Sequence, residues 1–297
     1  MKKNRILLCS LLSLIFSTQV LSQSELNASN PKSINLETRG PSNGKLLIIG
    51  GAAGDFFYEK FMELAGGPEA QIVVIPTALT SDKLEPADLD RFRNSFIKRG
   101  FNNVTVLHTR DRKVANSAAF YEPLKSASGI WLSGGRQWRH ADSYLDTKTH
   151  KAFFDLLDRG GVIAGSSAGA TIQGSYLARG DTKTNTIMMG DHEEGLGFMT
   201  NVAIDQHLFA RNRQFDLFEI LHNKPGLLGI GLDENTGILV EGDQFTVIGQ
   251  SYVVMYDGTR WSAERDTIYK LPDRSYQFYL LDDGDQYDLV NRRVISD

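Results

Sequence analysis

The sequence predicts an α/β protein: a mostly parallel central sheet covered by helices on both faces. Short apolar runs, amphipathic stretches between them and a later change to close-spaced strands carry that expectation. The first run is Leu46 to Ile49, and the same texture returns at Gln71 to Ile75, Val104 to Leu107, Ile130 to Leu132 and Val162 to Ala164. Uninterrupted Val, Ile and Leu mark strands buried on both faces. Between them, Glu85 to Arg99 puts Leu89, Phe92 and Phe96 on one helical face, with Pro86 in the first turn and Gly100 as the stop. Ala152, Phe153, Leu156 and Leu157 repeat the helical pattern before Gly160-Gly161. Strand alternating with helix requires crossover connections, hence parallel strands. From residue 228 the spacing tightens: Leu228 to Leu232, Gly237 to Val240, Gln244 to Gly249, Tyr252 to Tyr256 and Tyr276 to Leu281 read as strands. They predict a C-terminal β-hairpin extension that completes one domain over residues 45–297.

The N-terminus is of another kind. Lys2, Lys3 and Arg5 precede an apolar run from Ile6 to Phe16, and Ser17 to Ser22 then turn small and polar. This is the pattern of a secretory signal peptide over residues 1–22, and the run is shorter than the roughly 20 residues of a membrane span. Residues 23–44, polar and without periodicity, predict a flexible leader. A secreted or periplasmic chain without a membrane segment in its mature form is therefore expected. Cleavage takes three of the 32 Lys and Arg and none of the 36 Asp and Glu, so 29 cations face 36 acids and the net charge goes from −4 to about −7. The one cysteine, Cys9, leaves with the signal peptide, excluding disulfides, cysteine nucleophiles and thiolate metal sites. With 41% hydrophobic and 23% charged residues and no basic stretch, the composition is globular and nucleic acid is not an expected partner.

Chemistry concentrates at residues 160–170. Gly165-Ser166-Ser167-Ala168-Gly169 follows a strand and opens a helix, matching the elbow that lifts one hydroxyl clear of a sheet, with the next amide facing an oxyanion. Ser167 is then the nucleophile and the Ala168 N–H an oxyanion donor. The same residues also suit a small-residue turn capped by serine, or a phosphate-cradling helix start. A second glycine turn, Ser133-Gly134-Gly135-Arg136-Gln137, follows the preceding strand and reaches the same sheet edge, where Gly135 offers a second oxyanion amide or merely a glycine-requiring connection.

A serine hydroxyl needs a base, and six histidines are available. His207 stands apart within Asp205-Gln206-His207-Leu208-Phe209-Ala210-Arg211-Asn212-Arg213, where two cations suit carboxylate binding, although a solvated helix start also explains them.

Taken together and in order, these segments resemble the cyanophycinase and aspartyl dipeptidase family of serine peptidases, whose fold is like that of the class I glutamine amidotransferases. Gly50-Gly51, Ile75-Pro76-Thr77-Ala78 and Gly229-Ile230-Gly231-Leu232-Asp233-Glu234-Asn235-Thr236 belong to the match, which spans roughly residues 45 to 257. The resemblance implies Ser167 as nucleophile and His207 as base. It implies Gln137, Asp205, Gln206, Arg211 and Arg213 as the lining of a pocket for a β-linked aspartyl-arginine unit. For the orienting acid it offers Glu234, which is favoured, or Asp181. Where the family carries a third arginine, this chain has Asp216, which either pairs with Arg213 at i, i+3 or faces the substrate's arginine. Asp191-His192-Glu193-Glu194 lacks the helical zinc spacing and reads as a solvated loop, so neither metal nor cofactor is expected.

The expected activity is hydrolysis of an amide next to aspartate, above all the β-aspartyl link of cyanophycin or of related isoaspartyl peptides. The expected partner is that peptide or isopeptide, with a homodimer as a further expectation. An α-aspartyl dipeptidase and a silent binding module on the same fold are the alternatives. Glutamine amidotransfer is disfavoured, because that chemistry uses cysteine where this chain has Ser167.

Overall fold

The computed structural model describes residues 37–79, 84–258 and 278–295. The expected signal peptide, the leader as far as residue 36, and Tyr276 and Gln277 lie outside the described residues. Five parallel strands form the centre: β1 (Lys45–Ile49), β2 (Gln71–Ile75), β3 (Asn103–Val106), β4 (Gly129–Leu132) and β5 (Val162–Ser166), in the spatial order β1-β5-β4-β2-β3. Leu46 and Ile48 enter one apolar cluster and Leu47 and Ile49 another, and all four are fully buried. Side chains alternate across a strand, so a strand covered on both sides has no place for polar residues.

Helices provide both covers. On one face α1 (Asp55–Ala65) buries Phe57, Phe61 and Ala65 at a four-residue spacing, and α2 (Pro86–Ile97) adds Phe96 with Phe92 half-buried beside it. Glu85 and Asp88 satisfy each other's backbone N–H groups in a capping box that starts α2. The short α3 (Arg112–Ala115), α4 (Ala118–Tyr121) and α5 (Trp138–Tyr144) lead to α6 (Lys148–Asp158), which buries Ala152, Phe153, Leu156 and Leu157 in the cluster that holds Leu46 and Ile48.

The C-terminal strands divide where one extension was expected. β9 (Thr236–Glu241) lies antiparallel on β1 and turns back as β10 (Gln244–Gly249); β13 (Gln286–Asp288) and β14 (Arg293–Ile295) complete a nine-stranded sheet. β8 (Leu228–Leu232) and β11 (Val253–Asp257) instead join β6 (Gly174–Tyr176), β7 (Met199–Gln206) and β12 (Phe278–Leu281) in a second sheet, ordered β12-β11-β8-β7-β6. Strand β7 has no long apolar run because Thr200 and Asn201 precede Val202, Ala203 and Ile204, and Asp205 and Gln206 follow them. The end of the expected leader is also part of the fold. Thr38 is buried and accepts hydrogen bonds from the Arg292 guanidinium at 2.9 and 3.2 Å, while Arg39 bridges to Thr200.

Helix α5 carries a titratable group into this core. His140 is fully buried, its Nε2 lies 3.2 Å from the Ser133 carbonyl, and burial pushes its pKa down to about 4. The unfolded chain, with a histidine pKa near 6.5, takes up that proton first. Stability is therefore expected to fall as pH drops from about 6.5 to about 4, by about 3 kcal/mol from this group. Denaturant unfolding of wild type and His140→Gln at pH 7 and pH 4.5 checks it; an equal loss in both proteins contradicts the assignment.

Candidate active site

β5 ends at Ser166 and α7 (Ala168–Thr171) begins two residues later, which leaves Ser167 alone at the turn with φ 57° and ψ −115°. A side chain held there costs about 1–3 kcal/mol and persists only where the surroundings enforce it. The Ser167 N–H donates to the Ile49 carbonyl at 2.9 Å, and the Ser167 carbonyl accepts from Ala170 and Thr171 N–H at 2.9 and 3.1 Å. The flanking glycines are a packing requirement. A Cβ on Gly165 would overlap the Gly169 carbonyl oxygen, and a Cβ on Gly169 would overlap that of Leu132. Ala168 is the first helical residue, so its N–H has no acceptor within the helix. The second glycine turn lies alongside: a Cβ on Gly134 would stand 3.3 Å from Ser167 Cβ, and Gly135 takes φ 140°.

Three strand ends then converge. His207 follows β7 and Glu234 lies between β8 and β9. Ser167 Oγ is 2.8 Å from His207 Nε2, and His207 Nδ1 is 2.6 Å from Glu234 Oε1. Burial is the main influence on His207 and holds its pKa below the usual 6.5; the Glu234 hydrogen bond raises it, and Arg211 and Arg213 reinforce the lowering. The imidazole is thus neutral near pH 7 and able to accept a proton at Nε2. Asp181, the alternative acid, accepts instead from the N–H groups of Lys183 and Thr184 at 2.9 and 2.8 Å.

Gly50-Gly51 ties these pieces together, a role no local pattern announces. His207 N–H donates to the Gly50 carbonyl at 2.8 Å, and Asn235 N–H to the Gly51 carbonyl at 2.8 Å. Gly51 has φ 140°, and a Cβ there would run into Cε1 and Nδ1 of the His207 ring. Asp233 secures the next residues, its Oδ1 accepting from Phe209 and Ala210 N–H at 3.0 Å each. Gly51→Ala is expected to push the ring aside and lower kcat/KM about 100-fold, since an ångström of misplacement costs that much. Kinetics on the folded fraction decide it, and a variant within threefold of wild type refutes the pinning.

The expected pocket residues fall into two groups. Arg211 is exposed, and Arg213 is largely buried with Nη1 donating to the Gln206 carbonyl at 3.1 Å and to Gln206 Oε1 at 3.0 Å. Gln137 and Asp205 face inward. Gln137 Nε2 donates to the carbonyls of Ala178 and Arg179 at 2.8 and 3.0 Å, and both Asp205 oxygens accept from Arg179. Both side chains are thereby tied to the 178–179 segment. Asp216 pairs not with Arg213 but with Arg179, which no sequence pattern singled out. In the 191–194 loop His192 lies between Asp142 and Asp191 at 2.8 and 3.2 Å, and Glu193 pairs with Lys224 at 3.0 Å.

A sequence model described as peptidase family S51 matches residues 46–248, from within β1 to within β10. The chain belongs to peptidase family S51. It is a serine peptidase, as the family and its relatives are. This S51 chain is 31% identical over 255 residues to a cyanophycinase of Geminocystis herdmanii, covering 82% of this chain and 92% of the relative. It is 30% identical over 278 residues to a cyanophycinase of Trichormus variabilis, covering 89% and 92%. Among solved structures, a peptidase from an acI-B1 Actinobacterium superposes with a TM-score of 0.63 at 22% identity, covering 84% of this chain and 98% of that one. A putative peptidase E protein from Listeria monocytogenes superposes with a TM-score of 0.51 at 16% identity, covering 70% and 100%. These two superpositions bear on the fold, which is the α/β architecture described above.

Proposed function

We propose that this chain is an exported peptidase that hydrolyses amide bonds next to aspartate in peptides built of β-aspartyl-arginine units. The continuous chain of hydrogen bonds from Ser167 through His207 to Glu234, with Arg211 and Arg213 on the segment that follows His207, carries the reading. Ser167 Oγ attacks the amide carbonyl while its proton passes to His207 Nε2. The oxyanion that forms is met by the N–H groups of Ala168 and Gly135. His207 then returns the proton to the leaving amine, the C–N bond breaks, and Ser167 holds the aspartyl group as an ester. Water, deprotonated by the same imidazole, releases it. Glu234 keeps the Nδ1 proton in place throughout and offsets the charge on the imidazolium. All these groups belong to the chain itself.

Arg211 and Arg213 supply the substrate preference, as cations suited to the free carboxylates of an aspartyl peptide. The cyanophycinases among the relatives support the polymer as substrate. Export is supported by the basic, apolar and small-residue order of residues 1–22. Purified chain incubated with insoluble cyanophycin, β-aspartyl-arginine and α-aspartyl dipeptides, with products separated by chromatography, tests the proposal. Soluble aspartyl-arginine or free arginine released from the β-linked substrates is expected. Turnover of α-aspartyl dipeptides alone transfers the chain to the dipeptidase reading, and no turnover of any aspartyl amide refutes the substrate class.

A further inference from the structure

The segment that carries His207, Arg211 and Arg213 leaves β7 just after Asp205 and enters α8 (Leu217–Asn223) just after Asp216. One guanidinium joins its two ends. Arg179 donates from Nε to Asp205 Oδ1 at 2.8 Å, from Nη2 to Asp205 Oδ2 at 3.0 Å and to Asp216 Oδ2, and from Nη1 to the Asn185 carbonyl at 2.8 Å. The Arg179 and Asp205 side chains are 3% and 0% exposed, so this pair is removed from water. Arg179 itself is held at φ 56°, with its carbonyl accepting from Gln137. Gln137, Asn185, Asp205 and Asp216 thus all meet on one residue.

Arg213 is the second cation beside Asp205, and it is left out of the pair. Its Nη1 lies 3.9 Å from Asp205 Oδ1, beyond hydrogen-bonding distance, and donates to Gln206 instead. Its other guanidinium N–H groups have no partner among the described residues. A buried carboxylate that loses its partner draws in the nearest cation, because an uncompensated charge in that setting is strongly unfavourable. Without Arg179 that cation is Arg213.

We propose that Arg179 is a positioning residue for specificity. By saturating Asp205, the neighbouring carboxylate that is fully removed from water, it keeps the Arg213 guanidinium available for a carboxylate-bearing substrate. The inference rests on Arg211 and Arg213 meeting substrate carboxylates, as proposed above. It predicts an effect on capture and not on chemistry, since His207 is held independently by the Gly50 carbonyl, by packing on Gly51 and by Glu234.

The test measures how well succinate, a small dicarboxylate, protects Ser167 from a fluorophosphonate label, which needs no turnover. Wild type is expected to be protected. Arg179→Gln is expected to need about tenfold more succinate, with its unprotected labelling rate within about threefold of wild type. Arg179→Gln combined with Asp205→Asn, which removes the competing carboxylate, is expected to restore protection to within about threefold. A merely structural role for Arg179 gives a double variant as poor as the single one or poorer, and that result overturns the proposal, as does unchanged protection in Arg179→Gln or no protection of wild type. If Arg179→Gln does not fold, the uncharged double variant decides: near-wild-type protection supports the proposal and a tenfold loss overturns it. Failure of the aspartyl substrate reading is told apart, because it shows as absent turnover of aspartyl amides with labelling and protection by succinate intact.

Discussion

Ser167→Ala is expected to abolish turnover, by about 10⁴-fold or more, while the protein keeps its fold and thermal transition. The Oγ removed donates within the site only toward His207 Nε2, and the backbone bonds that hold the turn, to Ile49 and from Ala170 and Thr171, stay in place. Alanine meets the same backbone demand at φ 57° that serine already meets, so stability should change little. The neighbouring Ser166 is the control. It sits within β5, paired in register with Ile49, and both ring nitrogens of His207 are engaged by other groups, Ser167 and Glu234. Ser166→Ala should therefore stay active. If Ser166→Ala proves dead and Ser167→Ala active on the same substrate, the elbow is one residue out of register and the mechanism above fails.

Removing the base should cost as much as removing the hydroxyl. His207→Ala is expected to lose about 10⁴-fold or more, and the Ser167→Ala/His207→Ala pair little beyond either alone, because the groups act as one unit. The pH profile gives an independent measure. Burial holds the His207 pKa below 6.5, with the charges of Arg211 and Arg213 adding to the lowering. The acid limb of kcat/KM should accordingly lie below pH 6.5, with activity lost as pH falls through that limb and the imidazole protonates. Arg211→Gln takes away a cation that disfavours imidazolium, so the limb should move to higher pH. A limb that stays put in Arg211→Gln, or moves down, contradicts the assignment of that limb to His207.

The sheet centre was legible in the sequence because each strand's burial is written in its own residues. Leu46 to Ile49 is apolar throughout, and in the structure both of its faces are covered. Strand β7 was not legible, since its edges carry Asn201 and Asp205 and only pairing with β6 and β8 makes it a strand. The split of the C-terminal strands between two sheets was hidden for a related reason. Strands β8 to β11 have similar alternation, and nothing local says which partner each will take.

Within the site, the sequence by itself determined the elbow. Gly165 and Gly169 give way to a neighbouring carbonyl, and Ser167 sits between them at a backbone angle set within one turn. His207 stood out by its polar cluster with two nearby arginines, and Glu234 came forward only through the family resemblance. Only the tertiary structure decided that Glu234 and not Asp181 meets His207, that Gly51 backs the imidazole ring, and that Arg179 takes both Asp205 and Asp216. Those contacts join residues from different strand ends, separated along the chain by far more than a helical turn or a hairpin. Charges at such separations have no preferred spacing in sequence; which carboxylate a guanidinium takes depends on which groups the packed sheets carry out of water together, where pairing is enforced by the cost of leaving either charge alone.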